Sequence, residues 1–308
     1  MLSEEQLQEY TESFTSKKEK FVKGVYIFPL DINFLNNKRC NWSFMNYSKI
    51  LSKITTITED IKKEKDPSLN DFTIAIIDEY VRMTNNLICL MNNAIKHYDN
   101  TFICEEDEIF EYLKELRIYD IVRKINCELL KKKLEEKLKV AFPSSFNQIN
   151  IISGFSHGHS SLSARWKIPF TDDEKDGYFL IGPQIENNQF RTMIHICCNY
   201  FGISNSKNIT DKQRKAIYEA VKEEVFSLGE DYYLANNEFN KYEGYHDKNQ
   251  YISLYKYRKI GNKDIKFIKP DFDTLCNEFI CSLDKFKNIK NTKEDLKLKI
   301  IENLKKCR

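Results

Sequence analysis

Two periodicities divide this chain. Ahead of residue 143 apolar residues recur every three or four positions, and beyond it they alternate, so a helical part gives way to strands. Leu7, Tyr10 and Phe14 stack on one face of a short N-terminal helix, with Lys17, Lys18 and Lys20 at the end where cations suit the dipole. Gly24 breaks that helix, and the unbroken apolar run 25–28 before Pro29 has the composition of a strand buried on both faces. A polar turn at 36–39 follows. Tyr47, Ile50, Leu51 and Ile54 then predict a helix over 47–61, ended by the charged run 62–66 and Pro67.

The next helix starts at Asp71 and carries Ile74, Ile77, Tyr80, Val81, Met83, Leu87, Ile88 and Met91 as its apolar residues. Another is expected from the acidic start 105–107, and the last of this part runs over 116–140. There Leu129, Leu130, Leu134 and Leu138 form the buried stripe, while Lys131, Lys132, Lys133, Lys137 and Lys139 lie outside with Glu135 and Glu136 as their i,i+4 companions.

From Pro143 the pattern predicts an antiparallel meander of strands at 146–152, 161–170, 178–185 and 190–200. Turns are expected at Ser153-Gly154, Gly158, 171–177 and Asn187-Asn188, the last a two-residue hairpin loop. A helix over 211–228, a strand over 251–258 and helices over 272–286 and 293–305 complete the chain, the first of these two capped by Asp271. The fold class is therefore α+β: an N-terminal helix and strand, a helical middle region, and an antiparallel β-meander with flanking helices. The composition shift places a domain boundary between 1–142 and 143–308.

Composition narrows the classes. The 308 residues are 41% hydrophobic, with 21 Phe and 17 Tyr, enough to fill a core. Forty-eight basic residues against 46 acidic leave a net charge of +2, so any nucleic-acid surface would have to come from local clustering. No apolar run approaches the length of a membrane span and no targeting signal stands at the start, so a cytoplasmic protein with no membrane partner is expected. The nine cysteines are odd in number and contain no C-x-x-C, which reads as free core thiols.

Three constellations carry candidate chemistry. In His157-Gly158-His159 the two imidazoles alternate along an extended segment and share a side, where they could hold a metal or act on a phosphodiester. The same stretch reads equally as a polar loop at a sheet end. Arg165, Lys167 and Arg191, alternating with aromatic residues, would form a cationic strip for a nucleic-acid backbone if the sheet presents them on one face, though a solvated strand face looks alike. Third, a Mg2+ nuclease needs an acid and a Glu-x-Lys on neighbouring strands. The acid-x-Lys triplets ending at Lys137 and Lys297 fall in predicted helices and that ending at Lys175 in a loop, so no metal or other cofactor is expected to bind this chain.

Gln6-Leu7-Gln8-x-Tyr10, followed by the strand that ends in Pro29-Leu30, resembles the segment of PD-(D/E)XK nuclease-superfamily proteins that follows their catalytic Glu-x-Lys strand. The run 179–194, reading FLIGPQIENNQFRTMI, is similar to a late region of bacterial members, and 45–51 resembles the helix start after their core. The resemblance implies a remnant of a nuclease-type core and a role in DNA processing or anti-phage defence. It also implies Mg2+ where a complete core is supplied. It places the metal-binding Asp and Glu-x-Lys ahead of Met1, so this chain alone is expected not to cut nucleic acid. Candidate partners are nucleic acid and a protein carrying the missing core. The alternative is a non-enzymatic accessory module that binds a protein partner or nucleic acid.

Overall fold

The computed structural model describes residues 24–28, 42–64, 71–104, 109–116, 118–156, 159–171, 177–186, 188–197, 199–202, 209–226, 233–234, 251–260, 271–290 and 292–307. The expected N-terminal helix, with Gln6, Gln8 and Tyr10, lies outside the described residues. The chain divides into two compact units, 1–99 and 100–308.

In the first unit β1 (Gly24–Phe28) pairs in parallel with β2 (Trp42–Asn46), from Gly24 opposite Trp42 to Phe28 opposite Asn46. The strand at 42–46 was not foreseen, because its run into a helix hides the period of two. β2 leads directly into α1 (Tyr47–Glu64), and the Asn46 side chain accepts the N–H of Lys49 at 2.8 Å, capping one of the donors a helix start leaves unpaired. α1 keeps its expected face, with Leu51 buried and Ile50 and Ile54 half-buried. α2 (Asp71–His97) has acid in its first turn and Lys96 and His97 in its last, as the dipole favours. Lys62 and Asp78 tie the two helices at 2.8 Å.

The second unit is built on a six-stranded sheet of order β3-β4-β5-β6-β8-β7, antiparallel throughout. Its strands are β3 (Ile149–Ser156), β4 (His159–Pro169), β5 (Tyr178–Glu186), β6 (Gln189–Cys197), β7 (Tyr233–Leu234) and β8 (Tyr251–Lys259). The helices are α3 (Phe110–Glu115), α4 (Tyr119–Ala141), α5 (Asp211–Phe226), α6 (Phe272–Lys287) and α7 (Lys293–Lys305). With helices packed on an antiparallel sheet, the class is α+β, as the periodicities indicate.

One sheet face supplies the core. Leu162, Trp166 and Ile168 of β4, Phe179, Ile181 and Ile185 of β5, and Phe190 and Ile194 of β6 are buried with Leu130, Leu134 and Leu138 of α4 and Phe279 and Leu283 of α6. Each such Leu or Phe contributes about 1.5–3 kcal/mol on leaving water. The Trp166 indole N–H donates to the Leu283 carbonyl at 2.8 Å, so its one polar atom is satisfied inside. Asp271 caps α6 as expected, accepting the N–H of Thr274 at 2.7 Å.

Three local expectations are corrected. Ser153 and Gly154 form no turn: β3 runs through them to Ser156, which pairs with His159. Ladder bonds with Leu162 and Ser161 outweigh the turn preference of a Ser-Gly pair. Residues 146–148 make a 3-10 turn rather than strand. The helix expected over 116–140 is α4 and starts three residues later, at Tyr119, because the Leu113 carbonyl takes the N–H of Ile118 and closes α3 before α4 begins. The change of period at Pro143 coincides with the end of α4, while compactness divides the chain at Asp99. Residues 100–101 lie against the start of α6, where Asn100 accepts the N–H of Phe272 at 2.8 Å and Thr101 bridges Asp271.

Candidate functional site

The sheet face turned from the core carries the expected cations. Ser163, Gln184 and Arg191 lie in register across β4, β5 and β6, and Arg165 and Lys167 follow Ser163 at steps of two, so all three cations share this face. Arg191 is neutralised there: its guanidinium bonds Glu186 at 2.8 Å and Gln189 at 2.8 Å and lies 4.6 Å from the Tyr255 ring centre. The Lys167 ammonium sits over the Tyr178 ring at 4.9 Å.

Arg165 is enclosed, at 5% exposure. Its Nη1 meets both ring nitrogens of His195 on β6, at 3.2 and 3.4 Å, while its Nε has no hydrogen-bond partner among the described residues. To reach β6 the side chain crosses β5 near Gly182, a position where a Cβ would fall 2.3 Å from the Ala164 carbonyl oxygen. Burial pulls the guanidinium down to about 10. An arginine held this way binds the sheet together and offers nothing to a phosphate outside it.

The histidine pair is placed only in part. His157 lies outside the described residues, as does the side chain of His159, whose backbone begins β4. Next to this hairpin stands a group that the sequence reading missed. Lys124 and Glu128 of α4 pair at 3.0 Å, the Ser153 hydroxyl donates to the same carboxylate oxygen, and Cys127 is fully buried. Burial pushes the Cys127 thiol up, so it is a core atom and not a nucleophile. Arg123, 1% exposed, lies 5.3 Å from the Phe102 ring centre and bonds the Tyr119 hydroxyl. Asn126 accepts from Ile103 N–H at 3.1 Å and donates to the Thr101 carbonyl at 2.9 Å, fixing the segment before α3. The signal was present: stepping back from Leu138 by fours and threes gives Leu134, Leu130, Cys127 and Arg123, a charge on the buried stripe.

Among the described residues no three His, Cys, Asp or Glu side chains come together as a metal site. Lys137 pairs with Asp273, and Lys297 with Glu294 and the Phe170 carbonyl. A cleft of about 190 Å³ opens between Gln148, Trp166, Phe286 and Asn288, below the usual size of a small-molecule site.

The feature that stands out is in the first unit. On α2, Phe72 (72% exposed), Ile76 (54%), Met83 (63%), Tyr80 and Leu90 all face solvent. They follow at steps of four, four, three and seven, which is one line along the helix. Of the apolar residues noted on this helix, Tyr80 and Met83 belong to this outward line, while Met91 is buried, as is Thr84, and Ile74, Ile77, Val81, Leu87 and Ile88 are half-buried. No helix among the described residues is long and apolar enough to cross a membrane. Compared with protein-family models, with curated proteins and with solved structures, the chain matches none.

Proposed function

We propose that this chain acts by binding rather than by chemistry, as an accessory module whose contact surface is the outward face of α2 and whose occupant is the apolar face of another α-helix. The single observation behind this reading is the exposed line from Phe72 to Leu90. Patches of this kind, on the order of 500 Å², are at the upper end for a protein that works alone, and a straight apolar line along a helix is the shape that a helix partner covers. The cations on the sheet support the same side of the choice: Arg191 is spent on Glu186, Arg165 is enclosed, and a nucleic-acid strip needs open ones.

In the PD-(D/E)XK setting that the sequence resembles, such a module would accompany a protein bearing the metal-holding core, and Mg2+ would enter only with that core. The deciding experiment has two arms. Purified chain with Mg2+ or Mn2+ should leave labelled DNA and RNA uncut and should not shift them at low salt. A tagged chain should bring down a partner protein that Met83→Glu loses. Cutting by the purified chain would overturn the reading. A low-salt shift abolished by replacing Arg165, Lys167 and Arg191 would move it to nucleic acid.

A further inference from the structure

The sheet of the second unit ends on an unguarded strand. β3 has β4 on one side and no strand on the other, and among the described residues the backbone groups on that open side bond to no other part of the chain. Of the five strands longer than two residues in this sheet, β3 alone, reading INIISGFS, has no charged residue. It also lacks proline, and its register with β4 runs one to one without a bulge. Charge, proline, a bulge or extreme shortness is what keeps an edge strand from pairing with another chain. β3 has none of these, whereas β7 at the opposite edge is two residues long. We propose that the free edge of β3 pairs with β3 of a second copy of the same chain, antiparallel about a two-fold axis at Ile152, so that two six-stranded sheets become one. The contact is independent of the outward face of α2.

The β3–β4 ladder settles which groups are open. Ser156 and His159 have two residues between them, so this closing pair exchanges both of its hydrogen bonds, and every second residue of β3 does the same. Asn150, Ile152, Gly154 and Ser156 thus turn their N–H and C=O toward β4, and Ile149, Ile151, Ser153 and Phe155 turn theirs to the free side. These four are centred on Ile152. With the axis there, Ile151 exchanges bonds with the partner's Ser153 and Ile149 with the partner's Phe155, and none of the four is left over. Ile152 itself is 38% exposed on the face turned from the core, and it comes about 4.5 Å, Cα to Cα, from the partner's Ile152, so the two apolar side chains cover each other. A Cβ at Gly154 would meet nothing within 4 Å, which leaves room for the partner's Asn150 opposite it.

A second copy is selected by the edges that remain. A lone foreign strand would close one edge and bring another of its own, and a foreign sheet would need an unguarded edge of matching length, which this chain carries in every copy. The partner's β3 is already backed by its own β4, and the joined sheet ends on both sides in β7, too short to recruit a further chain.

Sedimentation or light scattering of the full chain between about 1 and 200 µM tests this, a span that covers a reversible dimer of modest interface. The expected result is a monomer–dimer equilibrium. Ile152→Lys and Ile152→Glu should each weaken it roughly tenfold, because the apolar contact is lost and like charges face each other across the axis, and an equimolar mixture of the two should associate more tightly than either alone. In the wild type the amide protons of Ile151 and Ser153 should exchange more slowly at high concentration than at low. Circular dichroism matching the wild type shows that each variant folds; if either does not, the wild-type exchange decides alone. A chain monomeric at every concentration overturns the proposal, as does a dimer whose Ile151 and Ser153 amides exchange as freely as in the monomer, or a mixture no tighter than its parents. A dimer lost on Met83→Glu and kept in both Ile152 variants would put the contact on α2, overturning the strand pairing while the proposed function stands.

Discussion

Helices α2 and α4 are similar in length, 27 and 23 residues, and invert each other's distribution of polarity. α2 carries Phe72, Ile76 and Met83 into solvent, whereas α4 carries Arg123, Lys124 and Asn126 out of it. Either choice costs free energy unless something answers it. In α4 the answers lie within the same unit: Glu128 for Lys124, aromatic rings and the Tyr119 hydroxyl for Arg123, and two backbone groups for Asn126. Among the described residues no such answer accompanies the line on α2. A misplaced polarity that is satisfied locally is architecture, and the open one on α2 is the ground of the proposed binding role.

The comparison can be broken most forcefully inside the core. Leu134 of α4 is fully buried in the sheet-facing cluster, so Leu134→Ala should cost about 2–5 kcal/mol, read as a lower denaturation midpoint. Ile76→Ser on α2 should stay within about 0.5 kcal/mol, because its side chain is already in water. If the two losses were comparable, the line on α2 would be packed in the folded chain and the contrast between the helices would collapse.

Next in size is the buried pair. Glu128→Ala takes from Lys124, 3% exposed, its carboxylate, and should destabilise by about 3–5 kcal/mol, whereas Lys124→Met combined with Glu128→Leu should come close to neutral. A double variant as damaged as the single one would mean that the pair does more than satisfy itself, and would make the group beside the His159 strand a site after all.

Arg165 sharpens the same point with the opposite sign. Its charge is enclosed with His195 as hydrogen-bond partner, and burial pulls its pKa down, so the protonated form is disfavoured by folding. The unfolded chain therefore holds this proton more tightly than the folded one. The cost is present at neutral pH and is relieved only as pH rises through about 10. Arg165→Met should raise the unfolding temperature at pH 7, by the equivalent of about 1 kcal/mol. A fall instead would show that its bond to His195 across β5 outweighs the buried charge.

Much of this architecture was legible in the sequence, and what escaped did so for identifiable reasons. Strands β4, β5 and β6 announce themselves because apolar and polar residues alternate where one face is core, and β5 and β6 pair in the register that a two-residue hairpin loop demands, with Glu186 opposite Gln189. The parallel pairing of β1 with β2 could not be read, since parallel partners lie far apart in sequence and leave no turn signal. The sidedness of α2 escaped for a different reason. Apolar residues cover more of its circumference than one packing face needs, and periodicity counts them without saying which are covered. Arg165, Lys167 and Arg191 were correctly grouped by period, but period carries no information on whether a face is open.

The smallest effect belongs to a surface clamp that joins α4 to α6. Asp273 accepts from Lys133 at 2.7 Å and Lys137 at 2.6 Å, one turn apart on α4, and these bonds hold its carboxyl below the usual aspartate range. An acid whose folded pKa is depressed adds stability above its unfolded pKa and loses that stability as pH falls through the folded value. Because the carboxylate is open to water and screened by salt, the contribution is slight. Asp273→Asn should therefore lower the unfolding temperature a little at pH 7 and hardly at all at a pH low enough, below the usual aspartate range, to protonate the wild-type carboxyl itself. An equal loss at both pH values would show that Asp273 acts through a charge-independent contact in the first turn of α6 and not through the two lysines.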